Sequence, residues 1–168
     1  MDPHELGRPE EGPVQGGLTE DEKRHNVIRL AFGGDASRFE RFCEAIRQAV
    51  PADTAVVLRG SAITGERWKD RAPFDAEGPG TSDLDVTLVG SEATSLFALN
   101  GFFVPGVHSR PLSDEDPEIA PSLVPLRREL MRMVDRPVNI QASRDIVIFL
   151  RGDLLDQPYL TLIGKPDA

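Results

Sequence analysis

From Thr19 onward, segments with the apolar spacing of a helix give way to shorter ones with that of a strand. Thr19 and Glu22 have the spacing of a capping box, and Val27, Ile28, Leu30 and Ala31 supply the apolar content of the helix that follows. Gly33 and Gly34 end it. Asp35 can cap a second helix, in which Phe39, Phe42, Cys43, Ile46, Ala49 and Val50 recur every three or four residues on one face until Pro51. Residues 54–59 are rich in β-branched side chains and run into Gly60, which reads as a buried strand entering a tight turn. In residues 82–89, Leu84, Val86 and Leu88 alternate with Asp83, Asp85 and Thr87, so a period of two places the apolar set on one face and both carboxylates on the other.

Pro73, Gly78, Pro79 and Gly80 lie between these two strands and predict a mobile surface loop. A short helix is expected over 92–99, and a proline-rich stretch over 105–125 is expected to cross the surface. Leu126, Leu130, Met131 and Val134 trace a helix stripe that Pro137 stops, and 138–141 predicts a third strand. Ser143 can cap a last helix through Leu150, after which Gly152 and Pro158 break up the C-terminal segment. Residues 1–18 hold four glycines and three prolines with almost no large apolar side chain, and read as a flexible tail ahead of one domain over 19–168. The fold expected is α/β (α+β): a small mixed sheet with helices on one face and Asp83 and Asp85 on an opposite, partly open face.

Composition narrows the function. The chain has 168 residues, with 19 Lys+Arg against 28 Asp+Glu and a net charge of -9, which disfavours broad, charge-driven nucleic-acid binding. The start lacks the basic and apolar regions of a signal peptide and no apolar run reaches membrane length, so a cytosolic protein with no membrane contact is expected. Cys43 is the single cysteine, which excludes a disulfide framework within one chain, and its place in an apolar stripe predicts burial.

Two acids one residue apart on a strand point the same way, close enough to share one or two hard cations, with magnesium the natural guest. Alone, Asp83 and Asp85 fit an acidic solvent-facing strand as well as they fit a metal pair. Their context adds a Gly60-Ser61 turn opening a short helix, which offers N–H groups and a hydroxyl to an anion. In Val56-Val57-Leu58-Arg59-Gly60-Ser61-Ala62-Ile63-Thr64-Gly65 and Thr81-Ser82-Asp83-Leu84-Asp85-Val86-Thr87-Leu88, the chain resembles the DNA polymerase β-like nucleotidyltransferase superfamily. The resemblance covers 54–89 at the level of motifs and 39–141 loosely in the order of elements.

It implies a nucleotidyltransferase-like fold in which Gly60 and Ser61, with Arg59 beside them, bind a nucleoside triphosphate such as ATP. Asp83 and Asp85 would hold Mg2+ or Mn2+ while an acceptor hydroxyl attacks the α-phosphorus and pyrophosphate leaves. Two departures from the family pattern stand out. Residues 67–80 look inserted, and the third carboxylate is replaced by Asn139, whose amide oxygen can ligate a cation but cannot take a proton near neutral pH. Asp135 and Asp145 are the possible substitutes.

Other residues have plainer readings. Arg59 sits at a strand end where functional side chains commonly project, whereas Arg67, Lys69 and Arg71 read as a solvated loop. His108, Arg110, Asp114, Glu115 and Asp116 read as connection rather than lid. Trp68 and Tyr159 read as packing anchors, and the Phe102-Phe103 and Met131-Met133 pairs as core. The function expected is magnesium-dependent nucleotidyl transfer to an acceptor left open: a protein side chain, a nucleic-acid end, an aminoglycoside or a second nucleotide. The alternative is a weak or inactive nucleotide- or partner-binding module on the same fold. A glycosyltransferase with the same acid spacing is disfavoured because the chain lacks two nucleotide-fold halves.

Overall fold

The computed structural model describes residues 17–166, so the tail reading for 1–16 lies outside the described residues. Helix α1 (Glu20–Ala31) opens on the expected capping box: Thr19 accepts from the Glu22 N–H, and the Glu22 carboxylate accepts from the Thr19 N–H. Asp35 caps α2 (Ala36–Ala49) by accepting from the Arg38 N–H, and Phe39, Phe42, Cys43 and Ile46 are its buried face. Ala49, one turn further, is exposed. Phe32, at the end of α1, meets Phe39 and Phe42 edge-on at centroid distances of 5.4 and 5.2 Å, and this locks the two helices together.

The sheet is mixed and has six strands: β1 (Ala55–Arg59), β2 (Leu84–Val89), β3 (Phe102–Val104), β4 (His108–Ser109), β5 (Val138–Ser143) and β6 (Leu160–Ile163), in the order β3-β4-β5-β2-β1-β6. Strand β2 runs antiparallel to β1 and parallel to β5, with Asp85 opposite Arg59 on one side and Asn139 on the other. Alternation then sorts the side chains. Val56, Leu58, Leu84, Val86, Leu88, Val138, Ile140 and Ala142 join the core made with α1, α2 and α5 (Val124–Val134). Arg59, Asp85, Thr87, Asn139 and Gln141 take the opposite face.

The mixed α/β architecture is the one expected, but several elements are not. Helix α6 (Asp145–Phe149) covers part of the opposite face, where Ile148 joins Ala55, Val57, Val89 and Tyr159 in a second apolar cluster. The two sheet faces are therefore both partly covered. Residues 105–125 do not simply cross the surface: they supply β4, and Leu112 pairs its backbone with Ile140 while Leu112, Ile119, Ala120 and Leu123 are buried. The expected helix over 92–99 is a single turn, α4 (Ser91–Thr94). Ser143 is the buried end of β5, its hydroxyl held by His108 at 2.6 Å, and Arg144 takes the cap position of α6. Phe102, Met131 and Met133 all pack partly buried against the core, whereas Phe103 is 61% exposed on an edge strand and does not belong to it. Among the described residues no helix is long and apolar enough to cross a membrane.

Candidate functional site

The site is assembled at one end of three strands. Gly60 follows β1 at φ 102° and leads into the single helical turn α3 (Ser61–Thr64). A Cβ on residue 60 would lie 3.1 Å from Asp85 Oδ2, so glycine is required there both by its backbone angle and by the carboxylate beside it. Ser61 is buried at the start of that turn. Its N–H belongs to the group that a first helical turn leaves without an intrahelical acceptor.

Asp83 precedes β2 and Asp85 is its second residue, and both turn toward Asn139 on β5. The Asn139 Nδ2 donates to Asp83 Oδ2 at 2.8 Å and to Asp85 Oδ1 at 3.3 Å. Burial and the neighbouring Asp83 charge push the Asp85 carboxyl up to about 6, against the pull of the Asn139 hydrogen bond and the charges of Arg59 and Arg151. Among the described residues no three His, Cys, Asp or Glu side chains gather as a metal set; here the third polar group is an amide. Asp135 ends α5 with φ 50° and Asp145 starts α6 beside a different cavity, so neither hydrogen-bonds to the Asp83, Asp85 and Asn139 trio.

Asp85 and Gly60 border a cavity of about 890 Å³ whose walls come from several segments. Arg59 enters from β1 and donates to Gln157 Oε1 at 2.9 Å. Arg151 enters from the π-helical turn Leu150–Leu154; its backbone carbonyl accepts from the Gln157 N–H at 2.9 Å, and its side chain has no hydrogen-bond or ion-pair partner among the described residues. Burial lowers the pKa of both guanidiniums, and the Arg151 charge lowers Arg59 further, to about 10, while Asp85 supports the charge on each. Both remain cations at neutral pH, and an anion entering the cavity would meet two desolvated positive charges.

The polar row continues along β5: Gln141 donates to Ser109 O and lies 3.3 Å from His108 Nε2. Burial, then Arg151 and Arg59, hold the His108 ring down at about 4, so it is neutral at neutral pH. Trp68 is no packing anchor. It is 63% exposed and borders the cavity together with Arg67 and Arg71, because the segment 67–80 begins beside the site rather than away from it. Tyr159 is buried, as expected of an anchor, and Arg110 and Arg127 are spent on ion pairs with Asp116 and Asp114. Arg151, Gln141, Gln157 and Asp156 were not singled out by sequence patterns. Gln141 shares a face with Asn139 by the period of two on β5, Gln157 and Asp156 have no spacing signal, and Arg151 is placed by a π-helical turn that hydrophobic periodicity does not encode. Comparison with family models, with curated proteins and with solved structures finds no match to this chain.

Proposed function

We propose that the chain is a magnesium-dependent nucleotidyltransferase that moves a nucleotidyl group from a nucleoside triphosphate to an acceptor hydroxyl. The observation that carries this reading is the convergence of Asp83 and Asn139 on Asp85, which borders a cavity also lined by Arg59 and by Arg151, whose side chain has no partner among the described residues. The donor set suits a hard dication, since it offers two carboxylates and one amide, and the repulsion that raises Asp85 is what a cation relieves. Asp83 and Asp85, with the Asn139 amide oxygen available beside them, would hold magnesium or manganese, which supplies positive charge to phosphate oxygens when bound.

The protein's own groups divide the remaining work. Arg59 and Arg151 neutralise the polyphosphate, and the missing side chain at Gly60 lets the backbone approach it. Ser61 offers its N–H and hydroxyl. In the reaction, the acceptor oxygen forms a bond to the α-phosphorus as the bond to pyrophosphate breaks. The acceptor's proton cannot go to Asn139, so it leaves to water or to another cavity carboxylate, Asp156 or Glu66.

A second reading is favoured by one observation. The Asn139 amide already donates to both carboxylates, a neutral bridge that suits a nucleotide- or partner-binding module without chemistry. Labelled nucleoside triphosphate incubated with lysate proteins, RNA and small acceptors separates the two. Wild type should label an acceptor, Asp83→Asn and Asp85→Asn should not, and Asn139→Asp should label more, on the order of a hundredfold where the new base is well placed. Labelling that survives Asp83→Asn would show the site is wrong. Nucleotide binding without labelling, even by Asn139→Asp, would establish the binding module instead.

A further inference from the structure

Residues 66–73 form an ordered finger, held by backbone and side chain together. Glu66 and Pro73 pair at its base, the Arg67 N–H donates to Ala72 O at 2.8 Å, and the Arg71 N–H donates to Arg67 O at 2.9 Å. The Asp70 carboxylate accepts from the Ala72 N–H at 3.0 Å and from Arg67 Nε at 3.1 Å. Arg71 is held at φ 58°, a left-handed conformation that a residue carrying a Cβ seldom adopts without support from its surroundings. All of this order presents one indole, Trp68, to water at the rim of the cavity.

An exposed tryptophan forgoes a large apolar burial, and on a rigid frame beside a cavity it is a flat binding surface. Arg67 pairs with Asp70 and with Glu77, which steadies the finger around the indole, while Arg71 lines the same cavity beside it. At about 890 Å³ the cavity is near the upper end of small-molecule sites, more than a triphosphate chain alone would fill. Its lining also combines Arg59, Arg151 and Asp85 with the Trp68 indole, so one cavity offers both charge and a flat apolar face.

We infer that Trp68 is the stacking platform for the base of a purine nucleoside triphosphate whose phosphates lie toward Arg59 and Arg151. This rests on the nucleotide reading above and adds to it the base class and the residue that recognises it. Purines are favoured because their larger ring system covers more of the indole face.

Trp68 is the chain's only tryptophan, so its intrinsic fluorescence reports the platform without a label. With magnesium present, ATP and GTP should quench it saturably and more tightly than CTP or UTP. Inorganic triphosphate should bind by calorimetry without quenching. Trp68→Ala should weaken ATP binding by about tenfold and leave the affinity for inorganic triphosphate unchanged, while Trp68→Phe restores most of the loss. The platform is overturned if ATP and inorganic triphosphate bind wild type equally with no quench, or if a short single-stranded oligonucleotide quenches and mononucleotides do not. If neither ATP nor inorganic triphosphate binds, the nucleotide reading and the platform fall together.

Discussion

At the scale of single residues, the Asp85 carboxylate is held against its solvation preference, half-buried and beside Asp83, with one amide donor shared between them. Its pKa in the folded protein is raised from 3.8 to about 6, so its stability contribution is fully present below about 3.8 and is lost as pH rises through 6. Asp85→Asn removes the repulsion. The variant should be more stable than wild type at pH 8, by on the order of 1 kcal/mol, with the advantage fading below pH 6 where Asp85 is itself protonated. Thermal melts at the two pH values check this, and a loss of stability at pH 8 would show that the carboxylate is structural. Arg151 gives the complementary case. Because it has no side-chain partner among the described residues, Arg151→Ala should leave the melting temperature nearly unchanged while weakening binding of inorganic triphosphate, about tenfold or more for a desolvated guanidinium on a phosphate.

At the scale of elements, the approach to β2 is fixed by an ion pair that lies outside the cavity bordered by Asp85. Arg136 donates to both Asp75 oxygens, at 2.8 and 3.2 Å, and to Ser82 O, and its guanidinium lies 4.5 Å from the Phe74 ring centroid. Asp75 also accepts from the Ser82 and Gly80 N–H groups, so residues 75–82 are tied to the turn that precedes β5. The Arg136 hydrogen bonds hold the Asp75 carboxyl down at about 2, and the resulting stability is present above 3.8 and lost as pH falls through 2. Asp75→Asn should cost about 2 kcal/mol at pH 7, with urea melts showing the gap narrow below pH 4. This loop was expected to be mobile from its glycines and prolines, because composition reports turn-forming capacity and not the long-range partner Arg136. The central strands were legible for the opposite reason. Leu84, Val86 and Leu88 alternate without interruption, and Asn139 sits in a clear apolar run, so the face carrying Asp85 could be read directly. Strands β3 and β4 are two or three residues long, too short to show a period, and β6 is a four-residue edge strand after a glycine and a proline.

At the scale of the whole molecule, Lys23 joins the two ends of the described chain. It is fully buried on α1, pairs with Glu20 at 3.1 Å, and donates to Tyr159 O at 3.1 Å, one residue before β6. Lys23→Ala would remove that donor and open a cavity, so it should cost about 2 kcal/mol and raise hydrogen exchange in 160–163 before the rest of the sheet. Strand β6 matters because it covers an edge of β1: Leu58 pairs with Leu160, about a hundred residues later in the chain, while its other neighbour β2 arrives within about thirty. During synthesis on a ribosome, β1 and β2 can meet early, but Val56 and Val57 then present an open row of peptide groups until the last strand is made. For most of its birth this protein carries a sticky sheet border beside its most apolar strand, an invitation to strand exchange between neighbouring nascent copies. The late strand is thus a guard against self-association, set in place by the same buried lysine that ties it to the first helix.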